Sequence, residues 1–205
     1  MKNTPLQTHY PKARIDALSD GIFAVAMTLL VLDIHIPEGF HPSDSVQMLR
    51  ALAELWPRFF PYALSFMILG LRWLSVVQVS GRSEYLGGPY IRWWLIYLLL
   101  ITCVPFTTTV VGRYASFAPA IWLYCGNTAL IAIAAWRMLV LTPEVENQHR
   151  AHRRQVSMIV LLASSVLCIA WSFVDPRHAL WAFLLNLAAP TLTRIAEGKP
   201  TANDK

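Results

Sequence analysis

The sequence predicts an all-α, polytopic membrane protein of six transmembrane helices in a single domain, and three observations carry that prediction. Of the 205 residues 56% are hydrophobic and only 14% charged, far below the roughly one quarter charged that is usual in soluble domains. Apolar runs close to the ~20 residues needed to cross a hydrocarbon layer follow one another, separated by short polar breaks. Lys and Arg gather in alternate breaks, thirteen of the 17 on one side and four on the other, as expected where positive residues stay cytoplasmic.

Each span follows from its apolar run and the residues that close it. The first is expected from Ala17 to Ile36 and ends at Pro37. A polar stretch from Glu38 to Ser45 follows, and Val46 to Leu55 reads as an interfacial helix leading into the second span, Trp56 to Val79. The third is expected over Ile91 to Val111, the fourth over Ala118 to Leu141 and the fifth over Val156 to Val174. The sixth, His178 to Ile195, is strongly apolar only from Ala179 to Pro190, so it is expected to be buried against other helices or kinked at Pro190. Residues 1–13 read as a cytoplasmic N-terminal segment and 197–205 as a polar tail, with one domain over 1–205. The polar opening from Met1 to Lys12, with Pro5 and Pro11, lacks the early apolar core of a cleavable signal peptide.

The charge count sets the orientation. One side collects Lys2, Lys12 and Arg14; Arg72, Arg82 and Arg92; Arg137, Arg150, Arg153 and Arg154; and Arg194, Lys199 and Lys205. The other holds Arg50, Arg58, Arg113 and Arg177. Both termini are therefore expected in the cytoplasm, which requires an even number of spans. Trp56, Trp93, Trp94, Trp122 and Tyr97 lie near expected span ends, as in an interfacial aromatic belt, although Tyr97 and Trp122 fit packing between helices equally well.

Several function classes are disfavoured at this stage. Basic residues lie between apolar runs and form no single stripe, so nucleic acid is not an expected partner. Cys103, Cys125 and Cys168 fall inside apolar runs without metal-ligand spacing and read as small buried hydrophobes. No metal site and no cofactor is expected. There is no internal repeat of the kind on which inverted-repeat transporters are built.

The first span differs from the others. RIDALSDGIFAVAMTLLVLDI places Arg14, Asp16, Ser19, Asp20 and Asp33 on or beside a helix that enters lipid. Ionisable groups there face headgroups, protein or water, because leaving them unpaired in hydrocarbon costs a few kcal/mol. At about 100° per residue, Gly21, Val25, Thr28 and Leu32 share one narrow stripe, and Asp20 points elsewhere. Periodicity alone fits two readings, a helix-packing seam in which Gly21 permits close approach and the lining of a pore.

The same segment resembles the first-helix signature of the lysosomal potassium channel family and its bacterial relatives. That signature is an Arg, three residues, Phe-Ser-Asp, and an aliphatic run ending Thr-Leu-Leu-Val-Leu. Here it reads Arg14, Leu18, Ser19, Asp20, then Thr28-Leu29-Leu30-Val31-Leu32. SFMILGLRWL from Ser65 is similar to the family's second helix, and VPFTTTVVGRY from Val104 to Tyr114 to its third. Leu18 stands in place of the usual Phe, and Val76-Val77 follow Trp73 where relatives often carry a His pair.

The resemblance implies a potassium-permeable channel in a bacterial inner membrane, with four chains around an axis and the first helix lining the path. Val25 and Leu32 would form apolar constrictions and Thr28 a ring of hydroxyls met transiently by potassium, with Gly21 on the same stripe. Arg14, Ser19, Asp20 and Trp73 would form a network that holds the helix in register. Potassium ions, membrane lipids and further copies of the chain are the implied partners. In agreement, the sequence contains no Thr-Val-Gly-Tyr-Gly loop.

Three rivals remain at this stage, one of them a purely structural membrane subunit that would show no conductance when purified. A proton- or cation-coupled transporter needs ionisable groups that change charge within the membrane, and Asp33, Asp175 and His178 are the nearest candidates, all close to span ends. A membrane enzyme needs clustered catalytic groups. The only dense group, His149 and His152 with Arg150, Arg153 and Arg154, sits in a connection and suits anionic headgroups.

Overall fold

A computed structural model of the chain describes residues 10–77, 85–141 and 148–184. Helix α1, Lys12–Leu29, starts directly after Pro11, and its aliphatic run continues as a 3-10 turn, Leu30–Asp33, closed by a bond from the Ile34 amide to the Val31 carbonyl at 3.0 Å. Helix α2, Ser45–Glu54, is capped reciprocally. The Asp44 carboxylate accepts from the Gln47 amide at 2.7 Å, while the Gln47 side chain accepts from the Ser43 amide at 3.0 Å. Val46, Leu49 and Leu52 are exposed on α2, which fits the interfacial placement expected for this segment.

Helix α3 runs from Trp56 to Val77, α4 from Gly88 to Thr102, α5 from Val104 to Tyr114, α6 from Ala118 to Val140 and α7 from Gln148 to Ser172. A 3-10 segment, Pro176–Phe183, follows. The expected unbroken third span is in fact two helices, α4 and α5, which make one crossing from Gly88 to Tyr114. The break at Cys103 has a local cause: Pro105 has no amide hydrogen to return to the carbonyl four residues back. A two-residue antiparallel ribbon pairs Tyr10 with Leu86 and Pro11 with Tyr85, tying the start of α1 to the start of α4.

Among the described residues five helical stretches are long and apolar enough to cross a membrane: 12–33, 56–77, 88–114, 118–140 and 155–172. Of the sixth expected span, residues 178–183 belong to the 3-10 segment, and 185–195 lie outside the described residues.

Helix α6 sits at the centre and separates two cores. On one side Phe23, Ala26 and Leu30 of the first span pack with Leu69, Trp94, Tyr97, Ile101, Ile131 and Ala134. On the other, Leu64, Val111, Ile121, Tyr124, Leu161 and Phe183 join α3, α5, α6, α7 and the last 3-10 segment. Apolar burial drives association weakly in lipid, so polar bonds between helices matter more. Thr108 Oγ1 lies 2.8 Å from Ser65 Oγ, which lies 3.0 Å from the Tyr124 hydroxyl, making a buried chain across α5, α3 and α6.

Two expectations about polar and aromatic residues need correction. Trp94, expected in an interfacial belt, is buried between helices; Tyr97 is buried there too, in keeping with the packing alternative weighed for it, whereas Trp56 is largely exposed. Arg72, counted with the connection after the second span, lies inside α3, buried, with its Nη2 bonded to Ser157 Oγ on α7. The expected span, Trp56 to Val79, already contained Arg72, and its place on the face of α3 turned to α7 puts it in the space between helices. Cys125 and Cys168 are buried free thiols and Cys103 is partly exposed.

Candidate functional site

Helix α1 divides lengthwise. Ile15, Ser19, Phe23 and Ala26, at steps of four, four and three, turn into the protein and are buried. The opposite face, Leu18, Gly21, Val25, Thr28 and Leu29, is exposed, with Val25 57% exposed. A β-carbon built on Gly21 would find no atom within 4 Å. Gly21 therefore makes no helix seam within the described residues, and the packing role weighed for it inside one chain is not observed.

Thr28 has a defined orientation. Its hydroxyl lies 3.0 Å from the Ala24 carbonyl and 2.9 Å from that of Val25, so its hydrogen is directed back along the helix. The oxygen lone pairs are left for the outer side, the arrangement that suits a cation rather than an anion.

The stripe does not run straight to Leu32. From Leu30 the chain turns at roughly 120° per residue, which swings Leu32 about 60° further round than an unbroken α-helix would. Leu32 is nonetheless 67% exposed.

The polar residues of the first span are held in different ways. Lys12 Nζ pairs with Asp16 at 2.8 and 3.0 Å. Ser19, 1% exposed, donates to the Ile15 carbonyl at 2.9 Å and accepts from Trp94 Nε1 at 2.9 Å. Trp73 Nε1 donates to Asp20 Oδ1 at 2.8 Å, joining α3 to α1. Arg14 is exposed and, at about 20° from Gly21 in helical projection, lies on the same side as Val25 and Thr28. Ser19 and Asp20 are thus each bonded to a tryptophan of another helix. Trp94 was not identified as a partner from sequence, and its only mark there was an indole in the first turns of a neighbouring apolar run.

At the C-terminal end of the first span, Asp33 Oδ1 accepts from Arg113 Nη2 at 2.8 Å and Nε at 3.0 Å, which ties the 3-10 turn to α5. Asp175 and His178 pair with each other at 2.6 Å beyond α7. The three groups considered for a proton-coupled carrier are therefore held by partners at the ends of spans, Asp33 in an ion pair and Asp175 with His178 in a hydrogen bond. Side chains of residues 148–154, including the His and Arg group, lie outside those described. Among the described residues no three His, Cys, Asp or Glu are grouped as metal ligands.

Comparison with known proteins adds to this geometry. Residues 14–105 match the family model described as endosomal/lysosomal potassium channel TMEM175. A potassium channel of Streptomyces collinus is 33% identical over 101 residues, covering 49% of this chain and 48% of that protein, so the match spans about half the relative's length. A potassium channel of a Chryseobacterium is 27% identical over 184 residues, covering 85% of this chain and 89% of its own. The crystal structure of a lysosomal potassium-selective channel TMEM175 homologue from Chamaesiphon minutus superposes with a TM-score of 0.73 at 25% identity, covering 88% of this chain and 97% of that one.

Proposed function

We propose that this chain, a relative of the bacterial potassium channels of the TMEM175 family, is one of four identical subunits of a potassium-permeable cation channel whose path is lined by α1. The observation that carries the reading is the division of α1: its inner face is packed on Trp94 and Tyr97, while Gly21, Val25 and Thr28 face away from the protomer with an outward-facing hydroxyl among them. In a fourfold arrangement Val25 makes an apolar neck from which water withdraws, because it loses hydrogen bonds there that the wall does not replace. Thr28 then meets a partly dehydrated cation. Potassium surrenders its water more readily than sodium, and hydroxyls alone make a modest filter. Leu32 closes a second apolar ring at the far end of the stripe when the end of α1 winds as an α-helix, and stands aside from it when that end is a 3-10 turn. Ser19, Asp20 and Trp73 hold the helix, while Arg14, expected to join them, lies on the exposed side with Val25 and Thr28; conduction needs no cofactor. The subunits sit in an inner (plasma) membrane with both termini in the cytoplasm, which fits the distribution of Lys and Arg.

Cation flux from liposomes containing the purified protein tests this reading. Val25→Asn is expected to raise potassium flux by wetting the neck. Thr28→Val, which keeps the side-chain volume and removes the oxygen, is expected to lower the preference for potassium over sodium. Parental flux and preference in both variants would place the path elsewhere.

A further inference from the structure

The Asp33–Arg113 pair joins the 3-10 turn at the end of the first span to the last turn of α5. Asp33 ends the 3-10 turn at the C-terminal end of the first span, where exposed carbonyls disfavour a negative charge, so the carboxylate depends on a counter-charge. Arg113 supplies it from the last turn of α5, using Nη2 and Nε on a single oxygen at 2.8 and 3.0 Å. The other oxygen, Oδ2, lies over Gly112, at 3.5 Å from where a β-carbon would stand. Burial is unequal: the Asp33 side chain is 11% exposed and that of Arg113 42%. Asp33 is therefore turned onto α5, while its neighbour Leu32 is turned outward.

A 3-10 turn has poorer hydrogen-bond geometry than an α-helix, and an aliphatic Leu-Val-Leu run has no intrinsic reason to prefer it. Relaxation to α-helix would rotate Leu32 by about 60° back towards the line of Val25 and Thr28.

We propose that the Asp33–Arg113 ion pair is a brace that keeps the end of α1 wound as a 3-10 turn and so holds Leu32 off the axis of the path. This rests on α1 lining that path. Arg113 and Asp33 are positioning residues: they line nothing and act through Leu32.

The experiment is potassium flux from liposomes, with assembly of each variant checked by size in detergent. Arg113→Gln and Asp33→Asn are each expected to lower flux by about three- to fivefold, the population shift that a half-exposed ion pair can drive. The reversed pair D33R/R113D is expected to recover it. Leu32→Ala should remove the dependence, so that L32A/R113Q conducts like L32A. Parental flux in assembled single variants overturns the brace, as does a loss of flux that persists in the L32A background. If Arg113→Gln fails to assemble, the reversed pair decides alone: recovered assembly and flux support the brace, and an assembled but poorly conducting reversed pair overturns it. Variants of Val25 separate this failure from that of the pore: altered flux there with an inert ion pair rejects only the brace, whereas inert Val25 and Leu32 reject both.

Discussion

At the scale of single residues, a polar group inside the bundle matters most for the partner it would leave behind. Ser19 both donates and accepts, and Trp94 Nε1 has its bond to the Ser19 oxygen in a buried setting. Ser19→Ala strands a buried indole hydrogen, which costs about 1–3 kcal/mol, more than an ordinary hydrogen bond contributes on balance. Trp94→Phe removes that donor and leaves Ser19 bonded to Ile15, but it also opens space in the core. The double variant is therefore expected to be less destabilised than the two single losses combined, and thermal unfolding in detergent over the full cycle measures the coupling. Additive losses would mean that the indole and the hydroxyl contribute separately. The sequence marked Ser19 as unusual because a hydroxyl beside Asp20 sits in an apolar run. It could not indicate Trp94, since the contact joins residues 75 apart and is set by how α1 and α4 cross.

At the scale of elements, helix positions were readable where length and apolar content agree, and breaks only where a residue forces them. Pro105 forces the break between α4 and α5, while the change to a 3-10 turn at Leu30 has no breaker in the sequence and lies beside the Asp33–Arg113 contact. Arg72 shows the limit of counting charges: a cation near the end of a run was assigned to the connection, but α3 holds it between helices with Ser157. The hydroxyl chain through Ser65 was equally hidden, because Ser, Thr and Tyr in apolar runs have no preferred partner until the helices meet. Ser65 is its middle member, so Ser65→Ala removes the links to both Thr108 and Tyr124 and is expected to cost about 1–3 kcal/mol. Thr108→Val and Tyr124→Phe each remove one link and should cost less. Thermal unfolding of the three variants gives the order, and equal losses would show that α3, α5 and α6 are held by shape alone.

At the scale of the whole molecule, the exposed half of α1 is the feature that a single chain leaves unexplained. Composition and spacing located the stripe, but which way it faces depends on the packing of Ile15, Ser19, Phe23 and Ala26 against the other helices. Gly21 allows this to be tested, because no atom of the described residues lies within 4 Å of a β-carbon placed there. The β-carbon of Gly21→Leu therefore enters open space among the described residues, and replacing a helical glycine by leucine should favour the helix by roughly 0.5–1 kcal/mol. A loss of flux with unfolding unchanged then points to other copies. If four stripes meet around an axis, the added side chains converge where the path is narrow, and the variant is expected to fold normally yet conduct far less or assemble poorly. Gly21→Ala, which adds one methyl group, should lie between it and the parent. If the stripe faced lipid, a leucine there would be as comfortable as any other, and flux, assembly and unfolding temperature would all match or exceed the parent. Measuring unfolding, size in detergent and potassium flux on the same preparations separates the two arrangements, because only convergence of copies lets a residue without neighbours in its own chain stop the flow.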